Sequence, residues 1–411
     1  MSIFDFGQET EKLLKWLGQF GEDSNGGVSR FLYKPEWVEA QKALEQYMQQ
    51  AGFVVQYDDV GNLFGRLEGS VYKNETILTG SHVDTVKNGG IYDGQFGIIA
   101  GIIALKYLQK EYGQPLRNME VVSMAEEEGS RFPYAFWGVK NILGIAKREE
   151  VEGMVDFEGI SFTEAMRKAG FHFRSEGSVV RKDIKAFLEV HIEQGGVLEA
   201  EKKSVGIVEH IVGQRRFTIE ITGEANHAGT TPMGYRKDAL HAASRIICAI
   251  MDMTKSYCDS LVATVGKVET KPNIVNVVPG KVLFTLDTRY MHKDILVKFT
   301  EEVTAKMQEI ALQAGVEIEI DMWMDADPVP MDTGIVEIVR KQCEKNELSY
   351  KMMHSGAGHD SQVMASVIPT AMLFVPSYKG ISHSPLEYTE PHDLSEGVKA
   401  LVGALYELAY K

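Results

Sequence analysis

Histidine and carboxylate side chains recur in this chain directly after short apolar runs. The run Ile77-Leu78 leads into Ser81-His82-Val83-Asp84, and a glycine-rich loop, Asn88-Gly89-Gly90, carries the chain on to Asp93-Gly94. A second run, Met119 to Ala125, ends in Glu126-Glu127-Glu128-Gly129. A third, Ala186 to Val190, ends in His191, and a fourth, Ala371 to Val375, precedes a loop, Ser377 to Glu387, that contains His383. Imidazole and carboxylate are the ligand types of zinc and its neighbours. Two divalent cations held by such a set, with one carboxylate bridging, polarise a carbonyl and acidify a water. A carboxylate off the metal must then take the water's proton and return it to a leaving nitrogen. The adjacent glutamates Glu127 and Glu128 can divide these tasks. Asp84, two residues after His82, can orient that imidazole. A lone histidine is more often a surface or core residue, and a triple glutamate is more often a solvated turn. Five ligand-capable positions on loops of one inferred sheet are hard to reach by chance.

The elements that must position these residues read as strands alternating with helices. Pro35 opens a helix to Gln50, proline being favoured in the first turn, and residues 4–20 read as another amphipathic helix. Phe53–Tyr57 and Asn62–Leu67 flank Asp58-Asp59-Val60-Gly61 as a hairpin. A strongly apolar helix runs from Phe96 to Leu108. This pattern predicts an α/β fold with a mostly parallel central sheet and helices on both faces. In such sheets, chemistry sits on loops at the carboxyl ends of strands.

The pattern changes near Val205. A strand (Phe217–Thr222), a helix (Asp238–Met253), two strands (Leu261–Val268 and Val282–Asp287), a long helix (Lys293–Ala314) and a strand (Val316–Met322) follow in the order βαββαβ, which is ferredoxin-like. The predicted organisation is a discontinuous catalytic domain, residues 1–211 and 330–411, interrupted by an inserted α+β domain, residues 212–329.

The chain has 411 residues, more than one ordinary core supports. Hydrophobic residues at 44% and charged residues at 25% are those of a soluble globular protein. A formal net charge of -15 argues against nucleic acid and anionic membrane as partners, while leaving room for an anionic substrate at a locally positive site. Cys248, Cys258 and Cys343 are scattered without metal spacing, and no signal peptide or membrane-spanning run is evident. A cytoplasmic location is the expectation.

These motifs carry a resemblance. His82-Val83-Asp84, Asp93-Gly94, Glu127-Glu128-Gly129, His191 and His383 resemble the dinuclear metallohydrolase family of aminoacylases and zinc carboxypeptidases. Within it, Glu126 to Pro133, His191-Ile192-Glu193-Gln194-Gly195, Gln214-Arg215-Arg216, Asn226 to Met233 and His354 to Asp360 look most like the amidase branch that cleaves N-carbamoyl groups. The resemblance spans essentially the whole chain. It implies two divalent metal ions per subunit, Mn2+ or Zn2+, one on His82, Asp93 and His191 and the other on Asp93, Glu128 and His383. It further implies Glu127 as general base and His227 as the residue that steadies the developing oxyanion. Gln214, Asn276, Arg289 and Gly358 match contacts to a small-molecule ureido carboxylate. The implied reaction is metal-dependent hydrolysis of allantoate, with N-carbamoyl-L-amino acids as the alternative substrate, by a homodimer built through the inserted domain. On the residues alone, Arg289 suits a carboxylate bidentately but can equally be a surface arginine, and Asn276 can equally be a turn residue. His359-Asp360 reads as a carboxylate-binding or structural turn.

Overall fold

The computed structural model describes residues 5–175, 180–258 and 260–411. The chain divides into two compact units, one formed by residues up to Glu209 and from Pro330 onward, the other by His210–Val329.

The first unit contributes strands β1 (Val54–Tyr57), β2 (Leu63–Leu67), β3 (Tyr72–His82), β4 (Arg117–Met124), β5 (Ile184–Ile192) and β6 (Val205–Ile211). The inserted unit follows with β7 (Gly213–Thr222), β8 (Asn226–His227), β9 (Val262–Thr264), β10 (Val268–Lys271), β11 (Val277–Val278), β12 (Lys281–Tyr290) and β13 (Glu317–Ala326). The chain returns through β14 (Val329–Pro330), β15 (Tyr350–Ser355) and β16 (Thr370–Val375).

Among the described residues, the large sheet has the order β1-β2-β4-β3-β5-β16-β6-β14, with β15 on β6. Its four central strands, β4, β3, β5 and β16, are parallel. The sheet is mixed because β1, β2 and β6 join antiparallel. The predicted hairpin accounts for one antiparallel flank. The parallel strands are buried through nearly their whole lengths, apart from the first four residues of β3, as a sheet covered on both faces requires. The helix Gln95–Tyr112 lies on this sheet, with Ile98, Ile99, Ile102, Ile103 and Leu105 inaccessible to solvent. Full burial of each such side chain stabilises by about 1.5–3 kcal/mol. Gly97 permits the close approach, since a Cβ there would stand 2.6 Å from the Cβ of Ser81 and 2.7 Å from the carbonyl oxygen of Val190. Helices Phe6–Gly18 and Pro391–Tyr410 pack on the same layer. The first of these begins at Phe6, capped by Asp5, and the predicted residue 4 lies outside the described residues.

The inserted unit has strand order β10-β12-β7-β13, with β9 also on β12, and helices Ala239–Tyr257 and Lys293–Ala314 over one face. This is the ferredoxin-like arrangement. The predicted strand Leu261–Val268 is two short strands instead. Gly266 lies between them, and an interior glycine supplies no side chain to pack and loosens the strand. No helix among the described residues is long and apolar enough to cross a membrane.

Candidate active site

The carboxyl ends of the four parallel strands carry the five expected ligands. His82 is the last residue of β3, and Asp93 follows on its loop. His191 is next to last in β5, Glu127 and Glu128 follow β4, and His383 lies on the loop after β16. Because β4, β3, β5 and β16 are neighbours, sequence-distant loops meet at one edge. Several contacts fix the turn after β4. Trp37 Nε1 donates to the carbonyl of Ala125 at 2.8 Å, and the Ala125 amide donates to Asn62 Oδ1 at 2.8 Å. Gly94 has φ +70°, and a Cβ there would lie 2.5 Å from the His82 ring, so both backbone and space require glycine.

Donor atoms converge in three sets, each within 4.8 Å: His82, Asp93 and His191; His82, Glu127 and Glu128; and Asp93, Glu128 and His383. Asp93 is common to the first and third. Its Oδ1 is 3.1 Å from His191 Nε2 and 3.4 Å from His82 Nε2, while its Oδ2 is 3.4 Å from His383 Nε2. Glu128 Oε1 is 3.4 Å from the same His383 nitrogen. The ring nitrogens facing away from the cluster have partners. His191 Nδ1 stands 2.9 Å from the carbonyl of Ile192, and His82 Nδ1 is 3.1 Å from the carbonyl and 3.2 Å from Oδ1 of Asp84. With Nδ1–H donating outward, both Nε2 lone pairs point into the cluster, the tautomer that a metal ligand needs.

The electrostatics suit cations. Burial pushes Glu127 well above the usual carboxylate range, opposed by His82 and aided by Glu128, Asp360 and Asp84. Burial and the nearby Asp93 charge raise Glu128 to about 7. Glu126 is raised in the same way, chiefly by burial and then by Asp84, and its Oε2 is buried without a partner. Burial would raise Asp93 too, but His191, His383 and His82 hold it well below its ordinary value. Carboxylates crowded into a water-poor pocket with inward-facing imidazoles are stabilised by positive charge. His and carboxylate donors suit zinc and manganese alike. The residues therefore fit a pair of divalent ions.

A supporting layer holds these ligands. Asp84 accepts the backbone N–H of Glu127 at 2.9 Å and of Glu128 at 3.1 Å. Gln194 Nε2 at 2.7 Å and the Ser382 hydroxyl at 2.9 Å donate to Asp93 Oδ2. Glu387 Oε1 accepts the amides of Tyr92 and Asp93 at 2.9 and 3.0 Å. Arg30 is fully buried and donates to the carbonyls of Leu17, Phe20 and Val83, the last lying between His82 and Asp84. Sequence reasoning did not single out Ser382, Glu387 or Arg30. Ser382 and Glu387 share a loop with His383, and that proximity is the available signal. Arg30 offers none, since a lone arginine usually reads as surface.

The remaining candidates separate. Gly358 is in the first unit, beside Phe136 and Gln362, just before the helix Asp360–Met364. Its neighbour His359 packs edge-on against the His191 ring, with centroids 4.7 Å apart, and its Nε2 is 3.0 Å from Ser355 Oγ. Asp360 is buried with both oxygens unpartnered. Neither His359 nor Asp360 belongs to the ligand sets found among the described residues. His227, Asn276, Gln214 and Arg289 all lie in the inserted unit. His227 sits on the short β8–β11 ribbon opposite Val277, with the Ala228 amide donating to the carbonyl of Asn276 at 2.9 Å. Arg289 on β12 and Gln214 on β7 are direct cross-strand partners.

Residues 78–407 match the family described as Peptidase family M20/M25/M40. The chain belongs to this family. Within it, the chain is 50% identical over 409 residues to allantoate amidohydrolase of Escherichia coli (strain K12), covering 100% of both proteins. It is 34% identical over 403 residues to N-carbamoyl-L-amino-acid amidohydrolase of Paenarthrobacter aurescens, covering 98% of each. Among solved structures, a hydantoinase/carbamoylase family amidase from Burkholderia multivorans superposes with a TM-score of 0.92 at 32% identity, again covering 98% of each chain. The family's α/β fold with a mixed central sheet is the fold of this chain.

Proposed function

We propose that the protein is a cytoplasmic, metal-dependent amidohydrolase that hydrolyses a ureido C–N bond of allantoate with one water, releasing ammonia and carbon dioxide and leaving the amine ureidoglycine, which a second water converts to a ureidoglycolate-type product with loss of a second ammonia. The observation that carries the substrate is the full-length 50% identity to an allantoate amidohydrolase, against 34% to an N-carbamoyl-L-amino-acid amidohydrolase. The chemistry is supported by the convergence of His82, Asp93, His191, Glu128 and His383 around a shared Asp93.

Two divalent ions, manganese or zinc, supply a polarised carbonyl and an acidified water when bound. The protein's own groups do the rest. Glu127 takes the proton of the attacking water and delivers it to the departing nitrogen. Asp84 keeps the His82 ring turned and fixes the backbone from which Glu127 and Glu128 project. Arg289 pairs with the substrate carboxylate, Gln214 and Asn276 read its ureido groups, and Gly358 is a further substrate contact. His227 donates to the oxygen that gains charge as the carbonyl carbon becomes tetrahedral. In this reading the inserted unit also forms the dimer interface, and His227 serves the partner's site.

The test is ammonia release by metal-stripped protein resupplied with manganese or with zinc, offered allantoate and N-carbamoyl-L-amino acids in parallel. Turnover of allantoate at least tenfold more efficient than of any N-carbamoyl amino acid is expected. The reverse preference would assign the chain to the carbamoylases.

A further inference from the structure

Asp287 lies at one corner of a square of side chains on the face of the inserted sheet away from its helices. Asp287 and Arg289 alternate with the buried Leu286, Thr288 and Tyr290 along β12, and their cross-strand partners on β7 are Arg216 and Gln214. The other three side chains all point donors at its carboxylate. Gln214 Nε2 donates to Oδ2 at 2.8 Å, as does Arg216 Nε at 2.8 Å. Arg289 donates through Nε to Oδ1 at 2.9 Å and through Nη2 to Oδ2 at 3.0 Å. Arg216 is held from its other side by Trp323, whose ring lies 5.6 Å from the guanidinium. Trp323 stands at the bulge of β13, where the register shifts between Met322 and Met324.

An ionised carboxylate only accepts hydrogen bonds. It therefore fixes which way the Gln214 carboxamide faces, with Nε2 toward Asp287 and Oε1 turned away as an acceptor. It also fixes the plane of the Arg289 fork. An acceptor oxygen beside a guanidinium suits a molecule that offers a ureido N–H and a carboxylate side by side. Reversing the amide would set a donor against that N–H. A single misdirected polar group of this kind discriminates strongly between substrates.

We propose that Asp287 is a positioning residue for substrate recognition, setting the polarity of Gln214 and the orientation of Arg289 so that together they read a ureido carboxylate. The proposal rests on the substrate-binding reading of Gln214 and Arg289 given above.

The test uses the full-length, metal-loaded protein with Asp287→Asn, Arg289→Met and the double variant, assayed on allantoate and on an N-carbamoyl-L-amino acid. An asparagine at 287 can present either end of its amide, which frees Gln214 to reverse. Asp287→Asn is expected to raise the KM for allantoate about tenfold, the loss of one charge-assisted hydrogen bond, with kcat changed less than about threefold. The preference for allantoate over the N-carbamoyl amino acid, which lacks the second ureido group, should fall. The double variant should fall short of the product of the two single effects, because the part of the Asp287 effect that runs through the Arg289 guanidinium is already lost in Arg289→Met. If Asp287→Asn does not fold, Asp287→Ser is carried through the same measurements. An unchanged KM, a fall in kcat alone, or multiplicative effects in the double variant would overturn the proposal. If Arg289→Met itself leaves KM unchanged, the substrate-binding reading of Arg289 fails. If Arg289→Met raises KM while neither Asp287 variant does, only the positioning role fails.

Discussion

Asp84 Oδ1 accepts the backbone N–H of Glu127 at 2.9 Å, so the residue that orients one candidate ligand also anchors the candidate base. The same oxygen is 3.2 Å from His82 Nδ1, and Oδ2 takes the Glu128 amide. Asparagine at this position keeps the shape but turns a donor toward one of these N–H groups. Asp84→Asn is expected to weaken metal binding by roughly 10–100-fold, as changes behind metal ligands typically do. Chelator competition measures this, and affinity equal to wild type would release Asp84 from the role.

Glu127→Gln should lose roughly 10²–10⁴-fold in turnover while retaining both metals. The amide matches the carboxylate in shape but cannot accept the water's proton. Metal analysis beside an ammonia assay separates the two properties, and activity within tenfold of wild type would remove Glu127 from proton transfer.

Asp93→Ala should lose more metal than His383→Ala, because Asp93 belongs to two of the three donor sets and His383 to one. Metal content after gel filtration is the readout. Two ions retained in the Asp93 variant would contradict the bridging assignment.

Metal-stripped protein should become less stable as pH rises from 5 to 9. Glu128 and Glu387 both have folded values of about 7, above the ordinary carboxyl value near 4.5, chiefly because of burial. Between those values the folded state holds more protons than the unfolded one, so stability falls as pH rises through them. His383, raised to about 9 first by its hydrogen bond to Asp93, gives stability that is present below 6.5 and lost as pH rises through 9. Added metal supplies the missing positive charge, so the gain in Tm on adding metal should grow with pH. A gain that shrinks between pH 5 and 9 would contradict this.

His227 is expected to act across a dimer. Inactive His227→Ala and inactive Glu127→Gln, mixed and allowed to exchange subunits, should recover at most half the wild-type activity per mixed dimer. In that dimer one site lacks both residues and the other has both. Proven exchange without recovery would sink the assignment.

The ligand-bearing loops were legible because each follows an apolar strand, and a parallel sheet leaves its strand ends in one place. The mixed character of the sheet was less so. The antiparallel pairing of β6 with β16 joins segments far apart in sequence, and local pattern does not encode it. Gln214 and Arg289 stood out individually, but their common partner Asp287 did not. An aspartate two residues before an arginine on a strand looks like any surface ion pair until the neighbouring strand brings two further donors to it. Arg30 was hidden for a similar reason, since its three carbonyl partners come from a helix end and a strand end that only the folded chain brings together.

The whole inserted unit lies between His191 and His383 in the sequence. During synthesis on the ribosome, the set His82, Asp93 and His191 is therefore complete before the inserted unit has been made, and the set with His383 only after it. Only the chain's return, which lays β16 beside β5, brings His383 to the other donors. A chain that ends before His383 lacks the donor set of Asp93, Glu128 and His383, and with it the pair of sets that share Asp93.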